Sequence, residues 1–271
     1  MVGLIYFIFV FIMNIVVITL LMKTLFGTTV SSTGYDDMDF FTSAGAFQNG
    51  VSSATVIPCL LLAALIVRDR PISSYFSSMG GWRWTVFLKT LAAAFVLIGI
   101  PTIVSLLMHG KTGDVKFTIA GFIIITLLLP LQGIAEELIY RGYIMQTVSS
   151  WFMLPAAGII VQLLIFTAVH PYNVIGRIEI LVSALLFALV CIFSRGIEAS
   201  SAMHIMYNMS GIYMAGFGYG LITAEQTIPS SAFHLICKIV FFLFILYADK
   251  KLHWFDKVRY DDVEKFNAQK R

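Results

Sequence analysis

Long apolar runs alternate with short polar segments along the whole chain, and this pattern is typical of helices that cross a membrane. About 20 apolar residues, at about 1.5 Å per residue in a helix, are needed to span a bilayer. We therefore predict an all-α, polytopic membrane protein with about eight transmembrane helices. The predicted spans are residues 4–25, 51–67, 85–108, a fourth beginning at 117, 152–169, 178–193, 199–217 and 232–248.

The composition agrees with this pattern. Of the 271 residues, 59% are hydrophobic and 12% are charged, whereas a soluble domain carries about 25% charged residues. The net charge of +3 does not indicate a nucleic-acid partner, because the basic residues lie mainly beside apolar runs. The three cysteines lie within apolar runs, where inert packing is the expected role. The expected surroundings are a lipid bilayer.

The polar segments differ in their basic residues, and this difference predicts the topology. Arg68, Arg70 and a tail at 249–271 with seven Lys or Arg residues lie on one side of an eight-span protein. Segments 27–50 and 218–231, on the other side, contain no Lys or Arg. Because basic segments stay in the cytoplasm, we expect a cell-membrane protein with both termini cytoplasmic. The first run has no basic segment before it and is too long for a signal peptide, so we expect a retained span.

Charged residues inside the spans suggest three parts of the chain. Residues 1–116 would form three helices without recognisable chemistry, residues 117–248 a catalytic core, and residues 249–271 a basic cytoplasmic tail. We find no convincing internal repeat, which argues against a transporter built from inverted halves.

The fourth span contains two carboxylates and a guanidinium, Glu136, Glu137 and Arg141. Each charge at bilayer depth costs about 2.5–3.5 kcal/mol on insertion scales, so each is expected to have a partner and a function. Glu137 and Arg141 are four residues apart and share a helix face. Glu136 points about 100° away and needs a partner from elsewhere.

Few other ionisable residues are evident within the spans, and three polar residues there can supply that partner. His170 ends the fifth span, and His204 and Asn208 share one face of the seventh. A carboxylate and an imidazole can activate a water molecule, and an imidazole and an amide can donate to a developing oxyanion. Together these groups could hydrolyse an amide bond without a protein nucleophile.

Other interpretations remain open at this point. A buried Glu–Arg pair can simply hold helices together. Glu136 with two histidines could bind zinc, although the sequence contains no His-Glu-x-x-His motif. A proton-coupled transporter also uses intramembrane Glu and His, although it would be expected to show matching broken helices.

At these residues the chain resembles the CPBP family, the CAAX-processing, bacteriocin-processing and Abi-like membrane proteases. The family's Glu-Glu-x-x-x-Arg motif matches residues 136–141. Its Phe-x-x-x-His motif matches residues 166–170, and its His-x-x-x-Asn motif matches residues 204–208. The three motifs occur in the family's order on spans four, five and seven, and the resemblance covers roughly residues 117–217.

The resemblance implies a glutamate-type intramembrane endopeptidase that needs no metal or other cofactor. Its implied substrate is a membrane-associated, prenylated or otherwise hydrophobic peptide or protein. Glu136 and His170 would activate water, His204 and Asn208 would stabilise the oxyanion, and Glu137 and Arg141 would support them. The family also includes immunity proteins, so a non-proteolytic scaffold or bacteriocin-immunity role is the alternative, with a metal-dependent protease third.

Overall fold

The computed structural model describes residues 1–30 and 39–255. Regular secondary structure in these ranges is helical, apart from one isolated bridge between Ser77 and Gly196. Residues 31–38 of segment 27–50, which include Asp36 and Asp37, and the basic tail after residue 255 lie outside the described residues.

Eight main helices follow one another within the described residues, which confirms the predicted all-α membrane architecture. They are α1 (Val2–Phe26), α2 (Ser43–Val67), α3 (Trp84–His109), α4 (Ile119–Phe152), α5 (Pro155–Ala168), α6 (Val174–Ser194), α7 (Glu198–Gly216) and α8 (Ile228–Lys250). A short 3-10 turn, Ile72–Tyr75, lies between α2 and α3.

Six of these helices are long and apolar enough to cross a membrane, namely all except α5 and α7. Helix α5 has 14 residues, about 21 Å, and starts later than predicted because Pro155 occupies its first turn. Helix α7 has 19 residues, and its polar side chains lower its hydropathy. The two helices that fall short are those associated with the predicted histidines.

Polar residues at the start of four helices explain where these helices begin. Each side chain accepts a hydrogen bond from the amide three residues further on, which satisfies a backbone donor that the helix leaves unpaired. The four caps are Thr42 of α2, Thr118 of α4, Asn173 of α6 and Thr227 of α8.

Helix α4 continues well beyond the length of one bilayer span. Its 34 residues extend about 51 Å. It contains Pro130 and changes to π-helical geometry at Leu138–Met145, immediately after the glutamate pair. Short π segments of this kind are frequent at functional sites.

Helix α7 is the central element of the bundle and packs against α3, α4 and α6. Its first eight residues, 198–205, are all buried. Gly133 of α4 permits this approach, because a Cβ atom there would lie 2.7 Å from Cγ1 of Ile205. At the start of α7, Arg83 donates from Nε and Nη2 to the Glu198 carboxylate at 2.9 and 2.8 Å. This bidentate pair fixes α7 against the start of α3.

Candidate active site

Glu136 presents its carboxylate to a large cavity. Its side chain is 24% exposed, and Oε2 lies 3.6 Å from Nε2 of His204. Its other oxygen accepts a hydrogen bond from Nε2 of Gln132 at 3.2 Å. Glu136 is therefore partly solvated and contacts one imidazole.

Glu137 points about 100° away from Glu136 around α4 and is fully buried. Its Oε1 accepts hydrogen bonds from Nη1 of Arg141 at 2.9 Å and from Nδ1 of His204 at 3.0 Å. The predicted Glu137–Arg141 pair within one helix is thus present. The contact to His204 was not foreseen, since it depends on how α7 packs on α4.

Arg141 is held by groups from three helices. Its Nη2 donates to the Ala184 carbonyl at 3.1 Å, and its guanidinium lies 4.8 and 5.0 Å from the ring centres of Phe166 and Phe187. Buried Gln162 donates to the same Ala184 carbonyl at 3.3 Å. In the sequence, Gln162 is identifiable as a polar residue within an apolar span.

His204 lies between the two carboxylates of α4. Because the Glu137 carboxylate is only an acceptor, the short contact places a proton on Nδ1 and leaves Nε2 towards Glu136. The imidazole stacks on Phe187 at 4.8 Å, with an angle of 18° between the rings. These contacts fix the orientation of the ring.

His170 lies on the short segment after α5 and lines the same cavity as Glu136. Its Nδ1 lies 2.6 Å from the Phe166 carbonyl, which can only accept, so Nδ1 carries a proton and the other nitrogen is left for the cavity contents. If all the predicted spans ran perpendicular to the membrane, His170 and His204 would differ in depth by roughly 10–15 Å. The long α4 and short α5 remove this mismatch, since the Phe166 ring contacts both imidazoles, at 4.5 and 6.1 Å between ring centres.

The cavity connects all four predicted catalytic residues. It has a volume of about 1020 Å³ and is lined by Glu136, His170, His204 and Asn208, among others. Asn208 is one helical turn from His204 on α7. A smaller cavity of about 340 Å³, beside the middle of α2, also reaches Glu136 and His170.

A second polar cluster in the wall of the large cavity was missed from the sequence. Buried Glu179 of α6 faces Lys238 and His234 of α8, at 3.1 and 3.4 Å. The hydroxyl of Tyr207 donates to the same oxygen of Glu179 at 3.1 Å. The expectation of few other charges within the spans is therefore wrong. The available signal was His234 and Lys238, four residues apart on one face of the eighth predicted span.

The fold and this site define a multi-pass membrane protein with a polar cavity that brings carboxylate, imidazole and amide groups together. Residues 116–210 match the family model of the type II CAAX prenyl endopeptidases, described as Rce1-like. The resemblance to CPBP family intramembrane proteases, identified from three motifs, is thus confirmed over this segment. The match supports a membrane peptidase of the CAAX-processing type. Comparisons with curated proteins and with solved structures gave no match.

Proposed function

We propose that this protein is a glutamate-type intramembrane endopeptidase that hydrolyses a peptide bond of a membrane-associated, prenylated or hydrophobic peptide or protein. One observation carries the proposal. Of the two adjacent glutamates, Glu137 is fully buried against Arg141, whereas Glu136 faces a cavity large enough for a peptide segment.

In this mechanism Glu136 and His170 activate a water molecule in the cavity. One of them accepts a proton as the water oxygen bonds to the carbonyl carbon of the scissile peptide. The proton then moves to the leaving nitrogen as the C–N bond breaks, so that a carboxylic acid and an amine result. Both residues line the two cavities, which supports their shared role.

His204 and Asn208 stabilise the negative oxygen that develops on the peptide carbonyl. In its doubly protonated form His204 donates from Nδ1 to Glu137, and its Nε2 hydrogen faces the cavity beside Glu136. The charges of Glu136, Glu137, Arg141 and this form of His204 then sum to zero. The Asn208 amide supplies a second donor one turn away.

Glu137 and Arg141 support these residues without touching the peptide. Glu137 holds the His204 ring through Nδ1, and Arg141 ties Glu137 to the Ala184 carbonyl of α6. The site therefore depends on α4, α6 and α7 being packed together, and its precision comes from buried ionic contacts.

The decisive experiment is cleavage of a hydrophobic peptide by purified protein in detergent or liposomes. Glu136→Gln is nearly isosteric and should abolish cleavage, because an amide cannot accept the proton. The matched control is Glu225→Gln, which changes a cavity-lining carboxylate outside the proposed machinery and should cleave like the wild type. Normal cleavage by Glu136→Gln would refute the hydrolytic assignment and favour a scaffold or immunity role.

We also propose that the reaction needs no metal ion. Cleavage should then survive prolonged dialysis against a strong chelator. Loss of activity on chelation, with recovery on adding zinc, would instead establish a metal-dependent protease.

Finally, we propose that both termini face the cytoplasm and that residues 117–248 form the catalytic core between three N-terminal helices and the basic tail. Single cysteines introduced at Ser32 and after Arg271 in a cysteine-free background should react with impermeant reagents from opposite sides of the membrane. Ser32 and the tail after residue 255 lie outside the described residues. Labelling of both from one side would show that the number of spans is different.

A further inference from the structure

The second polar cluster contributes to the wall of the same cavity as Glu136, yet the proposed hydrolysis does not use it. It consists of Glu179 and Ser183 of α6, Tyr207 of α7, and His234 and Lys238 of α8. We propose that this cluster binds the free C-terminal carboxylate of the peptide substrate, with His234 making the contact. This inference rests on the proposed peptidase function and identifies where the substrate's end is held.

Lys238 and Glu179 form the fixed base of this site. Lys238 is fully buried, with Nζ 3.1 Å from Glu179, 2.8 Å from the Ser183 hydroxyl and 3.7 Å from the centre of the Tyr207 ring. These contacts occupy the ammonium group, so Lys238 contributes its charge without reaching the ligand.

His234 is the member that can reach the ligand. Its side chain is 22% exposed and lines the cavity, while Nδ1 lies 3.4 Å from both the Glu179 carboxylate and the Tyr207 hydroxyl. Because Nδ1 and Nε2 point in different directions from the ring, Nε2 is left to meet a ligand. Ser230, one turn earlier on α8, lines the same cavity.

The charges of the cluster match one carboxylate. Glu179 and Lys238 cancel each other, and a doubly protonated His234 adds one positive charge. A bound carboxylate then restores neutrality, which is the arrangement expected for a charge taken out of water. Glu225 also lines this cavity, but its carboxylate is hydrogen-bonded to Asn173 in an exposed position.

The spacing along the helices fits a short peptide end. Phe187 stacks on His204, and Ser183 and Glu179 follow on α6 at steps of four residues, about 6 Å each. On α7, Tyr207 is three residues from His204, and its ring lies 5.1 Å from that of His234. An extended peptide advances about 3.3 Å per residue. Along the helices the cluster therefore lies about 5–12 Å from His204, a distance that roughly one to four extended residues would cover.

A simple helix-locking ion pair would account for Glu179 and Lys238 but not for the cavity-facing imidazole. The test therefore compares two fluorescent peptides of identical sequence, one with a free C-terminal carboxylate and one with a C-terminal amide. Their affinities for Glu136→Gln protein are measured by fluorescence anisotropy in detergent micelles, so that binding is observed without turnover.

We expect the acid to bind about tenfold more tightly than the amide, which corresponds to about 1.4 kcal/mol. His234→Ala should reduce acid binding to the level of the amide and leave amide binding unchanged. His109→Ala, which removes an exposed histidine outside this cavity, is the matched control and should retain the preference. A Glu179→Gln/Lys238→Met double variant removes the base without leaving an unpaired charge, and should also lower the preference.

Equal affinity for acid and amide would overturn the inference, as would a preference that survives in both His234→Ala and His234→Gln. Wild-type cleavage of the same peptides separates this result from the proposed function. If neither peptide is cleaved although the acid is preferred, the peptidase assignment fails and the carboxylate site stands. If both are cleaved and bound equally, only the carboxylate site fails.

Discussion

The two adjacent glutamates of α4 should respond in opposite ways to loss of charge. Glu137 is fully buried and is the carboxylate partner of both Arg141 and His204. Glutamine at this position keeps an acceptor oxygen but leaves the Arg141 guanidinium without a counter-charge. Removing one partner of a buried ion pair costs about 3–5 kcal/mol. For a protein of this size that corresponds to a decrease in Tm of roughly 6–20 °C.

Glu136 should behave differently, because its carboxylate is partly solvated and its contacts are long. The distances are 3.6 Å to His204 and 3.2 Å to Gln132. We expect Glu136→Gln to change stability by no more than about 1 kcal/mol. Stability is measured by thermal unfolding of the detergent-purified protein. The folded yield is measured separately by size-exclusion chromatography.

The double variant Glu137→Gln/Arg141→Met should recover part of the lost stability, because it removes the unpaired cation. Recovery should be incomplete, since His204 still lacks its ionic partner. The Ala184 carbonyl also loses one donor but keeps Gln162. Equal destabilisation by Glu136→Gln and Glu137→Gln would refute this assignment of roles.

Two further predictions concern helix packing and capping. Gly133→Ala should destabilise the protein by about 1–3 kcal/mol and lower cleavage, because its Cβ would press on Ile205; Gly113→Ala, with open space around its Cβ, is the control in the same melting assay. Burial alone would raise the pKa of Asp39, but hydrogen bonds from the Thr42 side chain and from the amides of Thr42 and Phe41 lower it. The stability that Asp39 contributes is therefore complete above its unfolded-state value of about 3.9 and lost as the pH falls through the lower folded-state pKa. Asp39→Asn should cost about 0.5–1 kcal/mol near neutral pH, and its Tm difference from wild type should disappear in acid.

The helical architecture could be predicted from hydrophobicity because an apolar run of sufficient length has few alternatives in a bilayer. The ends of the helices were less predictable. Helix α2 starts at Ser43 rather than at residue 51, and α6 starts at Val174 rather than at 178. In both cases a capping side chain, Thr42 or Asn173, begins the helix before the apolar run does.

The site was predictable only as far as local spacing reaches. Glu137 and Arg141 are neighbours on one helix, so their contact follows from a separation of four residues. The contact of Glu137 with His204 joins residues 67 positions apart and depends on the packing of α7. The Glu179–Lys238 pair likewise joins two helices, and no spacing rule within one helix identifies it.

The buried charges of the core helices support the proposed role of Glu136 as the proton acceptor, and they do so independently of any sequence motif. Helices α4, α6 and α7 contain four carboxylates, Glu136, Glu137, Glu179 and Glu198. Within the described residues Glu137 is paired with Arg141, Glu179 with Lys238, and Glu198 with Arg83. Each of these pairs joins helices or supports a neighbouring side chain. Glu136 contacts the His204 imidazole and the Gln132 amide, and it faces the cavity. Because no Lys or Arg of the described residues forms an ion pair with it, this carboxylate contributes little to packing, and the role we propose for it is to accept a proton from water.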